Sequence, residues 1–353
     1  MDTKRKHRMR RSKRDTKDKI FKKCLSTFFF RKKRILTALL LLTMFTSKAQ
    51  TEDAVFHFLE LPLSSHVAGL GGTNISIIED DITMALHNPA LLSCISTNSL
   101  SLNYMTYMDG VGVGNAAYGR FLTDRSTIAI SAQYINYGTL QQTDIEDTNL
   151  GTFSAKDIAI AGTYAYDLSD YWSGGVTAKF IFGNYASYSS FAIGFDLGLN
   201  YYNSQTDFSA SFVLKNIGGQ IDAFDEVKEN LPLDLQFGIS KKLAHAPFRI
   251  SVTMQGLNDW SSSFTQDGEK EKFSKLFMNH FVFGVDFLAS ENFYISGGYN
   301  CKRASEMKVN DVSNWAGMSI GAGMQINRLK IGVSYAKYHV SSASLFFNLS
   351  TTL

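Results

Sequence analysis

The sequence predicts an all-β fold: a transmembrane antiparallel β-barrel of about 14 strands, behind a short N-terminal hatch-like segment. Three observations carry this reading. Fourteen stretches of about ten residues alternate apolar side chains with small or polar ones, the period-two pattern of a strand that is apolar on one face only. The connections between them alternate between tight and long, as in outer-membrane barrels with short periplasmic turns and longer extracellular loops. A secretory leader precedes them all.

The leader comes first in the chain. Sixteen Lys and Arg against three Asp fill the first 34 residues, and the apolar run ILTALLLLTMF follows at Ile35–Phe45. Eleven apolar residues are too few for a transmembrane helix, which needs about twenty. The small-x-small pattern before Gln50 places signal cleavage between Ala49 and Gln50. Residues 1–49 hold 17 of the 35 basic residues and 3 of the 32 acidic ones, which leaves 18 basic against 29 acidic and a net charge of −11 in the exported chain. That acidic balance argues against a nucleic-acid partner.

Residues 50–97 form the hatch-like segment, with Pro62, the turn GLGGTN at Gly69–Asn74 and the motif HNPALL at His87–Leu92. The barrel occupies residues 98–353. Its expected strands are 98–108, 111–122, 126–137, 157–168, 172–185, 189–203, 206–217, 232–243, 247–257, 280–289, 292–302, 315–327, 328–339 and 344–353. The sixth shows the code clearly: Phe191, Ile193, Phe195, Leu197, Leu199 and Tyr201 oppose Gly194, Asp196, Gly198 and Asn200. The two prolines of the barrel, Pro232 and Pro247, open strands, where the missing ladder donor does least harm.

Tight connections are expected around residues 123–125, 169–171, 204–205, 244–246, 290–291 and 327–328, and long ones at 138–156, 218–231, 258–279 and 303–314. They fall on opposite ends of the barrel, and an even strand number returns the C-terminus to the periplasm. A soluble β-sandwich would show an outer face rich in Lys, Glu and Thr. Here the polar face is Gly, Ser, Ala and Asn, which suits a lumen. Tyr104, Tyr107, Tyr134, Tyr137, Tyr185, Tyr188, Tyr335 and Tyr338, with Trp172 and Trp315, sit near strand ends and are expected in interfacial girdles. The last strand, SLFFNLSTTL, carries Phe347, Leu349 and Leu353 as its C-terminal strand signal.

Chemistry-bearing residues are sparse. Gly317–Gly321 matches GxSxG, but Ser319 falls inside an alternating strand, where the sharp strand-to-helix turn of a nucleophile elbow has no room. No His or Cys spacing fits a metal site, and no cofactor is expected. Cys94 and Cys301 are too few for a disulfide framework. Asp196 and Asp286 are placed on the lumenal face and read as hydrated lining. The loop at 258–279 carries Trp260, Phe264, Phe273, Leu276 and Phe277, too apolar to meet only water, so it either folds into the barrel mouth or docks a partner.

Two resemblances follow. The run LGGTNISIIEDDITMALHNPALLS resembles the start of the long-chain fatty-acid transporter family, with Asn88, Pro89 and Ala90 in its NPA-containing hatch motif and Leu91 where that family usually has glycine. It implies a 14-strand barrel behind a hatch and a channel for hydrophobic compounds. Longer segments, FLELPLSSHVAGLGGTN, DITMALHNPALLS, FSASFVLKNIGGQI and LPLDLQFGISKKLAHAPFRISV, look like the PorQ family of the Bacteroidetes type IX secretion system. That resemblance implies a non-enzymatic outer-membrane component of the cell-surface attachment complex. It would dock PorZ, with PorU and PorV as associates, in contact with outer-membrane lipid and lipopolysaccharide.

Overall fold

The computed structural model describes residues 54–107, 111–143, 149–260, 272–307, 315–338 and 342–353. The expected cleavage site at Ala49 and Gln50, and Phe264 of the aromatic loop, lie outside the described residues.

Fourteen antiparallel strands close into one barrel, each paired with its neighbours in sequence. They are β1 (Ser99–Thr106), β2 (Gly112–Thr123), β3 (Ser126–Thr143), β4 (Asn149–Asp167), β5 (Trp172–Tyr185), β6 (Tyr188–Asn203) and β7 (Phe208–Asp222), followed by β8 (Asp234–Lys242), β9 (Phe248–Met254), β10 (Phe281–Ser290), β11 (Phe293–Asn300), β12 (Met318–Ile326), β13 (Leu329–Ala336) and β14 (Ser344–Thr352). The seam pairs β1 with β14 from Ser99↔Thr352 to Met105↔Phe346, so no edge is left open to lipid. Leu353 adds one more bond, its N–H donating to the Asn98 carbonyl at 2.8 Å.

The alternation is realised strand by strand. In β14, Leu345, Phe347 and Leu349 point outward while Ser344, Phe346, Asn348 and Ser350 point in. Large apolar side chains such as Leu102, Ile130, Phe180, Phe195, Leu197, Ile250 and Phe283 form the exposed outer face, which lipid must cover. Pro232 and Pro247 lie just before β8 and β9, outside the ladders.

Several boundaries differ from the sequence expectation. The connection expected at 138–156 is mostly strand, since β3 runs on to Thr143 and β4 already starts at Asn149. Gly138 takes a φ of 79° within a register shift between Asn136 and Thr139, and this bulge hid the continuing strand. The expected eleventh strand stops at Asn300, whose side-chain oxygen accepts from the Arg303 N–H and caps a short helix at Cys301–Glu306. In the long loop before β10 a helix, α2 (Phe273–Asn279), is formed, and the Cys301–Glu306 helix is α3.

Four of the ten residues expected in girdles turn inward. Tyr104, Tyr134, Tyr188, Tyr335, Trp172 and Trp315 are exposed. Tyr107 and Tyr137 pack instead against the interior core, Tyr185 turns in to hydrogen-bond Asp157, and Tyr338 lies beneath Arg303. Tyr134 and Tyr137 are three residues apart on β3, an odd spacing that puts the two rings on opposite faces, whereas Tyr185 and Tyr188 are partners across the β5–β6 hairpin.

Residues 54–98 fill the lumen as the hatch. They hold α1 (Ser65–Gly69) and 3-10 turns at His57–Glu60, Ile82–Leu86 and Pro89–Cys94. Val67, Leu70, Ile75, Ile77, Ile82, Met84, Leu91 and Leu92 are fully buried, so the core of this barrel is the seat of its own N-terminal segment.

Candidate functional site

The seat is built from small lumenal side chains. Gly175 and Gly198, on β5 and β6, leave room for the turn at Asn88–Ala90: a Cβ on Gly198 would come within 2.2 Å of the Asn88 side-chain oxygen, and one on Gly175 within 2.3 Å of Pro89 backbone. Asn88 is fully buried and uses both ends of its amide. Its oxygen accepts from the Ala90 N–H at 3.0 Å, capping the 3-10 turn with Pro89 at its first position, and its Nδ2 donates to the Ile75 carbonyl at 2.8 Å. The motif's role here is to knot two stretches of the hatch together. Asn88→Ala removes the cap and leaves the Ile75 carbonyl without this donor, and an expected loss of about 2 kcal/mol in urea unfolding of the refolded barrel checks it.

Several lumenal polar residues hydrogen-bond the hatch backbone. Gln133 donates to the Phe58 carbonyl at 2.9 Å and Ser240 to the Ser76 carbonyl at 2.7 Å. Ser319, the residue inside GxSxG, is the second residue of β12, donates to the Gly69 carbonyl at 2.8 Å and accepts from the Gly71 N–H at 2.9 Å. The GLGGTN turn, with Gly71 and Gly72 at φ of 100° and 88°, is further held by Arg303 and Asn300. Both donate to the Gly71 carbonyl, at 2.8 and 3.2 Å, and the guanidinium lies 3.9 Å over the Tyr338 ring.

Four charged groups then lock hatch to wall. His66 of α1 reaches Glu79 at 2.9 Å with Nδ1 and Asp286 of β10 at 2.8 Å with Nε2; Arg249 of β9 reaches Glu79 at 2.6 Å and Asp286 at 2.8 Å. Tyr294 stacks on the imidazole at 4.0 Å. Burial opposes a charged imidazole, but the carboxylates of Glu79 and Asp286 outweigh it and raise the His66 pKa to about 9. Glu79 is held well below the usual carboxylate range by His66 and Arg249, again against burial.

Asp286 and Asp196 are therefore not hydrated lining. Asp286 is completely buried in this quartet, and Asp196 pairs with Lys179 at 2.7 Å while accepting from the Asn216 N–H at 2.8 Å. Asn216 sits at φ 58° in a bulge of β7, and its side chain accepts from Lys179 and donates to the Pro232 carbonyl. Sequence parity placed both aspartates in the lumen; their partners, separated by up to 220 positions, carry no local signal. His87, in the hatch, accepts from the Leu63 N–H through Nε2, and burial with nearby Lys215 and Lys179 holds its pKa well below the ordinary value.

A polar cavity of about 400 Å³ lies at the long-loop end. It is lined by His57, Glu60 and Thr73 of the hatch and by Lys215, Gln255 and His280 of the wall, with Thr73 donating to the Gln255 side-chain oxygen at 2.8 Å. Between the start of the hatch and the wall runs an apolar cluster in which Phe56, Phe58 and Leu59 pack with Met105, Val113, Ile135, Ile181, Leu231 and Phe346. Of the expected docking residues, Trp260, Phe273, Leu276 and Phe277 gather around α2, where Trp260 lies 6.3 Å from both phenyl rings and Leu276 faces the cavity. Cys94 and Cys301 are both free thiols, and burial pushes the Cys94 thiol up to about 12. Among the described residues no group of His, Cys, Asp and Glu is arranged to hold a metal ion.

Solved barrels of the same architecture exist. A Pseudomonas aeruginosa FadL homologue aligns over 82% of this chain and 97% of its own at 11% identity, with a TM-score of 0.50. The chain has the fold of a FadL-type barrel. The CymD monoaromatic hydrocarbon channel covers 85% of this chain and 99% of its own at 11% identity, TM-score 0.52. The Pseudomonas putida toluene transporter TodX covers 82% and 96% at 11% identity, TM-score 0.51. At such identities the likeness concerns the fold: a closed antiparallel barrel of 14 strands, resembling integral outer-membrane proteins. No protein-family model matches the sequence, and no curated protein matches it.

Proposed function

We propose that this protein is a non-enzymatic outer-membrane barrel that admits small hydrophobic compounds. The observation that carries this reading is the apolar cluster inside a FadL-type barrel, where Phe56 and Phe58 of the hatch occupy space walled by Met105, Val113, Ile135, Ile181 and Phe346. A hydrocarbon offers the same walls the same contacts as those two rings. The arrangement is closed along the axis: among the described residues, the hatch fills the lumen and the cavity of about 400 Å³ is polar. Entry therefore requires the 54–61 stretch to give way. Vesicles carrying the barrel should take up toluene faster than empty ones, and Phe56→Ala with Phe58→Ala should raise the rate severalfold. Equal uptake with and without the barrel would sink this reading.

A second reading is favoured by a different observation. The four segments that resemble the PorQ family form the hatch and part of its wall, from Phe58 to Asn74, Asp81 to Ser93, β7, and β8 through β9. A plug tied down by buried ions is suited to a rigid, non-conducting scaffold of the type IX attachment complex, holding PorZ, with PorU and PorV nearby, by its extracellular loops. Deleting the gene should then abolish surface display of PorZ and block cargo attachment. Unchanged display and secretion would remove it.

A further inference from the structure

β9 is the shortest strand of the barrel, too short to cross the apolar band of a membrane. β9 has seven residues, which at about 3.4 Å each and a tilt of about 40° climb about 18 Å, against an apolar band of about 25 Å. β11 has eight, whereas β4 has nineteen. The shortfall leaves several ångströms of acyl chain beside the barrel with no strand to face it.

Aromatic rings continue upward from that point. On β10, Phe281 and Phe283 face outward with ring centroids 5.9 Å apart and planes 10° from parallel. Phe277 of α2 meets Phe281 at 5.1 Å, Phe273 meets Phe277 at 6.4 Å, and Trp260 lies 6.3 Å from both helix rings. Phe273 and Phe277 are four residues apart and so share a helix face. The stripe is thus continuous with the lipid-covered surface of the barrel and stays exposed to its end, where Phe273 is 71% accessible. Leu276 and Asn279 turn the other way, toward the polar cavity. The Trp260 indole N–H is already satisfied by the Leu257 carbonyl at 2.8 Å, so the ring is held in place without water. Lys272 and Lys275 are exposed on the same segment, cations suited to the phosphate level.

We propose that α2 and Trp260 lie in the outer leaflet as a lipid-contacting crest, which completes the apolar belt above β9. Three features select lipid over a protein partner: the missing height, the unbroken ring ladder from Phe283, and an amphipathic helix whose inner face is already used. The rings sit at the boundary between acyl chains and phosphates, where aromatic side chains are favoured.

The test reads Trp260 fluorescence in phosphatidylcholine vesicles whose acyl chains are brominated at positions 6 and 7, with the full chain refolded into them. W172F/W315F leaves Trp260 as the sole indole, and its emission should fall at least twofold relative to unbrominated vesicles. Should that variant fail to fold, the difference in quenching between the natural chain and Trp260→Phe gives the same quantity. Emission unaffected by bromine and quenched freely by acrylamide would overturn the proposal. So would loss of a bound protein partner on Phe273→Ser with Phe277→Ser in the absence of any lipid quenching.

Discussion

Asp286→Ala should loosen the hatch by about 3–5 kcal/mol, the cost of breaking a buried ion pair by removing one partner. Asp286 is completely buried and serves both His66 and Arg249, so its loss leaves two buried cations facing Glu79 alone. The damage should be local to the contact between hatch and wall, because the ladder of β10 with β9 and β11 depends on backbone bonds only. Urea unfolding in vesicles would measure the cost, and protease cleavage within residues 54–98 of the otherwise folded barrel would locate it. Replacing all four charged groups with apolar residues of similar volume should cost less than Asp286→Ala, since no uncompensated charge remains. Unchanged stability of Asp286→Ala would mean that the quartet contributes nothing to seating the hatch.

Alkaline conditions should have a comparable effect without mutation. Both ring nitrogens of His66 face carboxylates, an arrangement that needs both to carry protons. With a folded-state pKa of about 9 against 6.5 for the free side chain, the imidazolium contributes about 3 kcal/mol. Because the folded value is the higher one, that contribution is complete below about pH 6.5 and is lost as pH rises through about 9. Glu79 behaves oppositely: its folded value is depressed, so its contribution is present above the unfolded value near 4.5 and lost as pH falls. The His66 and Glu79 contributions should therefore both be full between about pH 4.5 and 6.5 and be lost on the alkaline and the acid side respectively, while His87, buried neutral, costs hatch stability as pH falls below about 6.5. A pH series of urea midpoints would show it, and His66→Gln should flatten the alkaline limb. An alkaline limb that persists in His66→Gln would assign the titration to another group.

The fold was legible because a barrel strand is a local message. Each residue's face follows from parity, and parity needs no knowledge of partners. The same rule would have corrected the girdle, since Tyr134 and Tyr137, or Tyr335 and Tyr338, cannot share a face. Boundaries failed where a local event interrupted the pattern, as at the bulge with Gly138 or the Asn300 cap. The NPA motif was visible as a motif, but its work was not: Asn88 gains meaning from Ile75, thirteen residues earlier, and from the absent side chain at Gly198. Ser319 looked like a chance match to a catalytic pattern, and it is a hydrogen-bond post for a glycine turn 250 residues away.

The sequence by itself determined a closed all-β barrel, its strand count, the polarity of its two faces and the ends on which its loops fall. These rest on side-chain alternation and connection length, both readable within a dozen residues. Tertiary structure alone decided that the lumen is filled, that its small polar residues bind hatch backbone, and that Asp286, His66, Arg249 and Glu79 meet. It also decided that aromatic α2 continues the outer face of β10. Those outcomes depend on which residues converge across the barrel. The pattern within a strand is the same whether its inner face meets water or a buried segment of the same chain.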